Sequence, residues 1–348
     1  MNSIQSRAYS LITKSLGLLL MKCSDQTPYI TDDLGGDFKE YLNSPQYETI
    51  KADFINDLDE EDLAEFKTLE SRFRNMPNKV TIILEKGYSL KWLFFKNPLN
   101  KDRTSLEQDI NFKRFINRLF CFWKFPNLDI EDSVFYYEHG LVFLPKQVLE
   151  YIRGNDFLDI GTFHGDSILA LNKYGFKTIH GFDISKISLE KTFQNLKNAN
   201  ISLDNIKLNC SYVGAKSSLE VVIHDTGKSN LQPITDGSST DGKGYQIETM
   251  AIDDYFWNTP NSVKLFKADV EGALLDVILG SKRVISENKP ILLLAVYHNP
   301  HEFFEVKNLI QSWDLNYKFM LKKLTHRRLR NAAHIETFLI GVPKELMI

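Results

Sequence analysis

From residue 140 onward, short apolar runs rich in β-branched and aromatic residues alternate with amphipathic stretches, which is the pattern of βαβ units around a parallel sheet. The runs predict strands at 156–161, 178–183, 206–213, 263–269 and 291–297, with helices near 166–174, 186–199, 273–287 and 302–313. "NYKFMLKKL" and "ETFLIGVP" then read as a closing pair, for about seven strands in all. The expected fold is α/β, a doubly wound and mostly parallel seven-stranded sheet of Rossmann-like type. In such a sheet ligands bind beyond the carboxyl ends of the strands, so the residues at those ends are the candidates for function.

The residues before about 135 have a different character and are expected to form a mainly helical N-terminal region, 1–135, ahead of a catalytic domain at 136–348. Helices are predicted around 47–75 and 105–124; in "DLDEEDLAEFKTLESRF" the apolar residues recur at helical spacing and the acidic ones suit a helix N-terminus. "KVTIILEKG" reads as a strand or a short buried helix. The apolar stretch "SLITKSLGLLLMKCSD" is interrupted by Lys14 and Gly17, is too short for a bilayer and has no small-x-small cleavage site, so it reads as a docked helix rather than an anchor or leader.

A formal charge of −3 over 348 residues supplies no general pull toward nucleic acid or acidic membranes. The three cysteines, Cys23, Cys121 and Cys210, are odd in number and far apart, against both a disulfide framework and a compact cysteine zinc site; a reducing cytoplasm is the expected location. The basic "KKLTHRRLR" at 322–330 is read first as a solvated loop and second as a site for an acidic glycan or lipid-linked phosphate, with His334 near its end. Residues 224–246, rich in Gly, Ser, Thr and Asp, read as an insertion between strands or a lid.

The stretch "NDFLDIGTFHGDS", 155–167, ends a buried apolar run in Asp159-x-Gly161-x-x-x-Gly165, a turn where the backbone can approach a ligand. The next run ends in Asp183, placed to accept the ribose hydroxyls of an adenosine-type cofactor. Nicotinamide dinucleotide and S-adenosylmethionine both meet that description. The dinucleotide needs G-x-G-x-x-G to bring amides to a pyrophosphate, and the spacing here is G-x-x-x-G, which favours the methyl donor.

"VKLFKADVEGALLDVILGSKRVI" places Asp269 and Glu271 on a turn leading into a helix. Here the sequence resembles the FkbM family of S-adenosylmethionine-dependent methyltransferases, whose hallmark is K-x-D-V-E-G-x-E-x-x-V-L-x-G. The resemblance covers about residues 140–345. "ETMAIDDYF", "KPILLLAVYHNPHEFFEV", "HIETFLIGVPKEL" and the leader "FYYEHGLVFLPKQVLEYIRGNDFLDIG" follow the family in order. The departures are Phe163 where many members have Asn, Asp183 where many have Glu, and a leucine in place of the hallmark's second Glu.

The resemblance implies that Asp159, Gly161, Thr162, Phe163, Gly165, Asp166, Ser167, Asp183 and Ile184 hold the donor. It also implies methyl transfer to a hydroxyl oxygen of a carbohydrate or similar natural product, a cell-surface polysaccharide precursor among the candidates. A hydroxyl is weakly acidic and needs a base, for which Asp269, Glu271 and His298 are the candidates: His298 or Glu271 as base, Asp269 as the orienting group. A divalent cation on Asp269, His298 and Asn299 is the less favoured alternative, since the oxygen ligands suit magnesium and the imidazole a softer ion, which leaves the set undecided. Structural readings compete: Asp159 as a turn residue, Asp183 as a helix N-cap, Glu271 as a charge at a helix N-terminus. Two rival functions stand beside the first, an RNA or protein methyltransferase, although no N/D-P-P-Y/F motif occurs, and a non-catalytic donor-binding partner subunit.

Overall fold

The computed structural model describes residues 35–74, 112–125, 128, 130–223, 245–325 and 335–347. The expectations for the stretches at 10–25 and 79–87, for nearly all of the 224–246 insertion, and for the greater part of the basic cluster with His334 lie outside these residues.

Ten strands are described: β1 Asp156–Ile160, β2 Ile179–Asp183, β3 Ile206–Cys210, β4 Tyr212–Val213, β5 Glu220–Ile223, β6 Tyr245–Met250, β7 Val263–Ala268, β8 Ile291–Ala295, β9 Tyr317–Lys323 and β10 Thr337–Pro343. Seven of them form one sheet in the order β3-β2-β1-β7-β8-β10-β9. All run parallel except β10, which is antiparallel to both β8 and β9. The chain winds outward from β1 to β3 and then returns to β7 on the other side of β1, so the switch point, and the crevice it opens, lies between β1 and β7.

The strands are continuous apolar runs because both faces of the sheet are covered; β1 and β8 are buried along their whole length. Period-two alternation divides them between two cores. Leu158, Ile160, Phe182, Phe266, Ala268, Leu292 and Leu294 face one. Phe157, Ile179, Leu265, Leu293, Ala295, Phe338 and Ile340 face the other.

The helices are α1 Gly35–Leu42, α2 Tyr47–Ile55, α3 Glu60–Arg74, α4 Phe112–Lys124, α5 Asp132–Phe135, α6 Lys146–Glu150, α7 Asp166–Leu171, α8 Lys186–Asn198, α9 Ile252–Tyr255, α10 Leu274–Leu279, α11 Lys282–Asn288 and α12 Pro300–Gln311. The described residues before 135 include α1 to α4 and most of α5, and the first three of these helices do not reach the crevice. Phe38, Phe54, Phe66 and Phe73 are fully buried around Phe303 and Phe304 of α12, with the Phe38 and Phe73 rings stacked at 4.1 Å. Burying each such ring is worth about 1.5–3 kcal/mol. Two buried lysines fasten the same layer: Lys307 Nζ donates to the Asn56 carbonyl at 2.8 Å, and Lys322 Nζ meets Asp62 at 2.9 Å.

Three expected elements are divided in the structure. The 47–75 helix breaks between α2 and α3, where Asp57 takes φ 70°. The 273–287 helix breaks because the Asp253 carboxylate accepts from the amides of Arg283 and Val284 and so starts α11 anew. The 206–213 run leaves the main sheet after Cys210, and its end, β4, enters a three-stranded sheet in the order β4-β6-β5. β5 and β6 pair antiparallel on either side of the 224–244 insertion.

Candidate active site at the switch point

A cleft of about 430 Å³ opens at the carboxyl ends of β1, β2 and β7, and the segment around Leu128–His139 closes one side of it. Gly161 lets it form: its φ is +78°, and a Cβ there would stand 1.8 Å from the Asp269 carbonyl, so the β1 and β7 ends can approach only if this residue is glycine.

Among the residues expected to hold the donor, Gly161, Phe163, Asp166, Ser167, Asp183 and Ile184 line the cleft, whereas Asp159, Thr162 and Gly165 do not. Asp159 is completely buried beneath the turn, with Oδ1 3.1 Å from Lys267 Nζ. Burial pushes its carboxyl up to about 6, against the pull of the Lys267 ammonium. Burial also disfavours that ammonium, but the Asp159, Asp269 and Asp166 carboxylates outweigh it and hold the lysine charged. Lys267 Nζ further donates to the Gly161 carbonyl at 2.7 Å, so the cation locks the turn. The Thr162 hydroxyl donates to the Asp159 carbonyl, and Gly165 packs on Thr192.

Asp183 fixes the other side of the turn. Its Oδ2 accepts from the Phe163 amide and its Oδ1 from the Ser185 amide, both at 2.8 Å. The cap of α8 is Ser185, whose side chain accepts from the Ser188 amide, so Asp183 itself is not that cap. Ser211 and Tyr212 continue the wall past β3.

Across the switch point the acidic residues have a different partner. Asp269 and Glu271 line the cleft, on a turn where Glu271 has φ 50° and Gly272 φ 104°, two residues before α10 begins; Glu271 is therefore a turn residue. His298 lies behind them and does not line the cleft. Its Nε2 is 3.3 Å from Asp269 and 3.6 Å from Glu271, and its Nδ1 is 3.5 Å from Glu302. Burial alone would lower the imidazolium's pKa; Glu302, Asp269 and Glu271 together overcome it and push His298 up to about 9, so the ring is protonated at neutral pH. Burial raises the Glu271 carboxyl, with the His298 charge opposing. Glu302 is fully buried and its Oε1 accepts from the Leu274 amide at 2.7 Å, which ties the cluster to the start of α10.

Asn299 caps α12, accepting from the Glu302 amide at 2.9 Å, and its amide nitrogen donates to the Gly272 carbonyl at 3.3 Å. Among the described residues no group of three His, Cys, Asp or Glu side chains is arranged to hold a metal ion.

A family model described as the methyltransferase FkbM domain matches residues 159–328, the span that runs from Asp159 through both carboxylate groups. The matched span is a little under half of the chain. Solved structures similar to it include a methyltransferase FkbM from Methylobacillus flagellatus KT, with 21% identity over 62% of this chain and a TM-score of 0.45. That match spans about half, 49%, of the other chain. A putative methyltransferase from Streptococcus mutans in complex with SAH matches at 13% identity over 56% of this chain and 92% of that one, TM-score 0.35. A putative caffeoyl-CoA O-methyltransferase from Staphylococcus aureus matches at 9% identity over 69% and 96%, TM-score 0.34. No curated protein shows a significant sequence match.

The cleft and its surroundings also hold residues that the sequence alone does not bring forward. Lys267 stands at the head of the quoted hallmark, but only the structure pairs it with Asp159. Glu302 and the cleft residues Glu131, His139 and Tyr297 carried no spacing signal, because the fold brings them in from distant segments.

Proposed function

We propose that the chain is an S-adenosylmethionine-dependent O-methyltransferase of the cytoplasm, with its catalytic domain at 136–348, acting on a hydroxyl of a carbohydrate or similar natural product such as a cell-surface polysaccharide precursor. The observation that carries this reading is the Asp269–Glu271–His298–Glu302 cluster beside the same cleft that Asp183 enters from β2.

The cleft suits the donor. Its volume is in the range of cofactor sites, and Asp183 presents a carboxylate where ribose hydroxyls can donate. A dinucleotide fits poorly, because Asp166 begins α7 and puts a carboxylate where a pyrophosphate would have to sit. Gly161, Phe163, Asp166, Ser167, Asp183 and Ile184 would hold the donor, which supplies a methyl group on a positively charged sulfur. Glu271 takes the acceptor's hydroxyl proton: it faces the cleft, and burial makes it a stronger base than an ordinary carboxylate. Asp269 orients the acceptor oxygen. His298, charged and set back from the cleft, positions the two carboxylates.

The test is transfer of labelled methyl from S-adenosylmethionine to a panel of free and lipid-linked saccharides, with RNA and peptides as parallel arms. Label on a saccharide hydroxyl that disappears in Glu271→Gln supports the reading. Label on RNA or peptide supports the rival enzymes, and donor binding without transfer to any acceptor supports the partner subunit.

A further inference from the structure

Of the two histidines that line the cleft, His139 and His164, the first is buried and has no role in the chemistry above. His139 lies in the segment Glu138–Phe143 and is 2% exposed, yet it is one of the residues lining the cleft. Its backbone is unusual: Glu138, His139 and Gly140 take φ of 51°, 53° and 104° in succession. A run of left-handed residues that includes two with side chains is costly and persists only where the surroundings over-determine it.

Those surroundings are visible. The Glu138 carboxylate accepts from the Tyr174 hydroxyl at 2.6 Å and from Lys173 Nζ. Gly140 is pressed against β10, where a Cβ would come within 2.2 Å of the Ile340 side chain. Between these two anchors the His139 ring packs on Phe338 at 5.3 Å, and its Nε2 lies 2.9 Å from the Ser167 hydroxyl at the start of α7. Its Nδ1 is buried and has no hydrogen-bond partner among the described residues. A buried polar atom on a strained residue that lines a cleft, left unsatisfied by the described residues, calls for a ligand.

The sheet order indicates which part of a ligand this is. Asp183, Ile184, Ser211 and Tyr212 belong to the β2–β3 side, whereas His139, Asp166, Ser167 and Lys267 gather over β1 and β7. If the nucleoside is held at Asp183, the other end of the donor extends over β1. On the reading of this cleft as a methyl-donor site, we propose that His139 Nδ1 binds the α-amino-acid end of the donor. That end carries an ammonium and a carboxylate. Whichever role Nε2 takes toward Ser167, Nδ1 takes the other, and one of the two charged groups complements it. Burial keeps the ring neutral, so it adds no charge to a site already crowded with acids.

Calorimetric titration with two ligands tests this: S-adenosylhomocysteine, and 5′-methylthioadenosine, which shares the nucleoside and thioether but lacks the amino-acid end. The variants are His139→Phe, which keeps a ring without nitrogens, His139→Asn, which tolerates the positive φ but is too short, and Ser167→Ala, which frees the ring. The expected result is a loss of roughly tenfold or more in S-adenosylhomocysteine affinity for both His139 variants, the size of one hydrogen bond to a charged group. Ser167→Ala should lose less, and methylthioadenosine binding should stay within about twofold in both His139 variants, as expected when no contact to it is removed. Equal losses on both ligands would make His139 purely structural and overturn the inference while leaving the donor reading intact, as would unchanged S-adenosylhomocysteine binding. Failure of the unaltered protein to bind either ligand would overturn both.

Discussion

The two sides of the switch point use the same residue type in opposite ways. On the β1–β2 side the carboxylates are tied into the fold, although Asp183 also lines the cleft. Asp159 is sealed against Lys267, and Asp183 holds the Phe163 and Ser185 amides with one oxygen each. On the β7–β8 side Asp269 and Glu271 open to the cleft and share a protonated histidine at 3.3 and 3.6 Å. A strand-end acid is thus structural or reactive according to what neutralises it and whether it reaches solvent. Position in the sequence does not distinguish the two.

The sharpest break in this comparison comes from Lys267→Met, which would leave the fully buried Asp159 without a counter-charge. Stability should fall by about 3–5 kcal/mol in urea denaturation, and Asp159→Asn added to it should restore most of the loss. If the single variant is as stable as the parent, the β1 side is not held by this pair.

Glu271→Gln probes the other side and should behave in the opposite way. Turnover on whatever acceptor the label-transfer panel identifies should fall by about 10²–10⁴-fold with little change in melting temperature. A loss of fold rather than of rate would place Glu271 with Asp159 as a structural acid.

His298→Gln should show a smaller effect with a pH signature. The ring's pKa rises to about 9 in the folded protein. It lies near 6.5 when unfolded, so its stabilising contribution is complete below about pH 6.5 and is lost as the pH climbs through about 9. Denaturation free energies measured across that window should decline by up to about 3 kcal/mol in the parent and stay flatter in the variant. Parallel curves would show that the three carboxylates do not hold the proton.

Much of this molecule was legible in the sequence because local pattern and sheet topology agree. The five apolar runs with the closing pair, and the acids at the ends of β1, β2 and β7, follow from periodicity and turn residues alone. The sequence did not show which acid meets which base. Lys267 sits in a strand that reads as apolar, and it faces Asp159 only because β7 lies beside β1 in register. His139 gave no signal, since its position depends on a strained turn fastened by Lys173 and Tyr174. The 206–213 run read as one strand because nothing in its composition marks the point after Cys210 where the chain crosses to the second sheet.

The division of labour across the switch point is tested most directly by calorimetric titration of S-adenosylmethionine, with NAD in parallel, into the unaltered protein, Asp183→Ala and Glu271→Gln. The account predicts saturable binding of the methyl donor alone, weakened roughly tenfold or more in Asp183→Ala, which loses a charged partner of the ligand, and essentially unchanged in Glu271→Gln. Binding of NAD instead, binding of neither, or equal weakening in the two variants would contradict it.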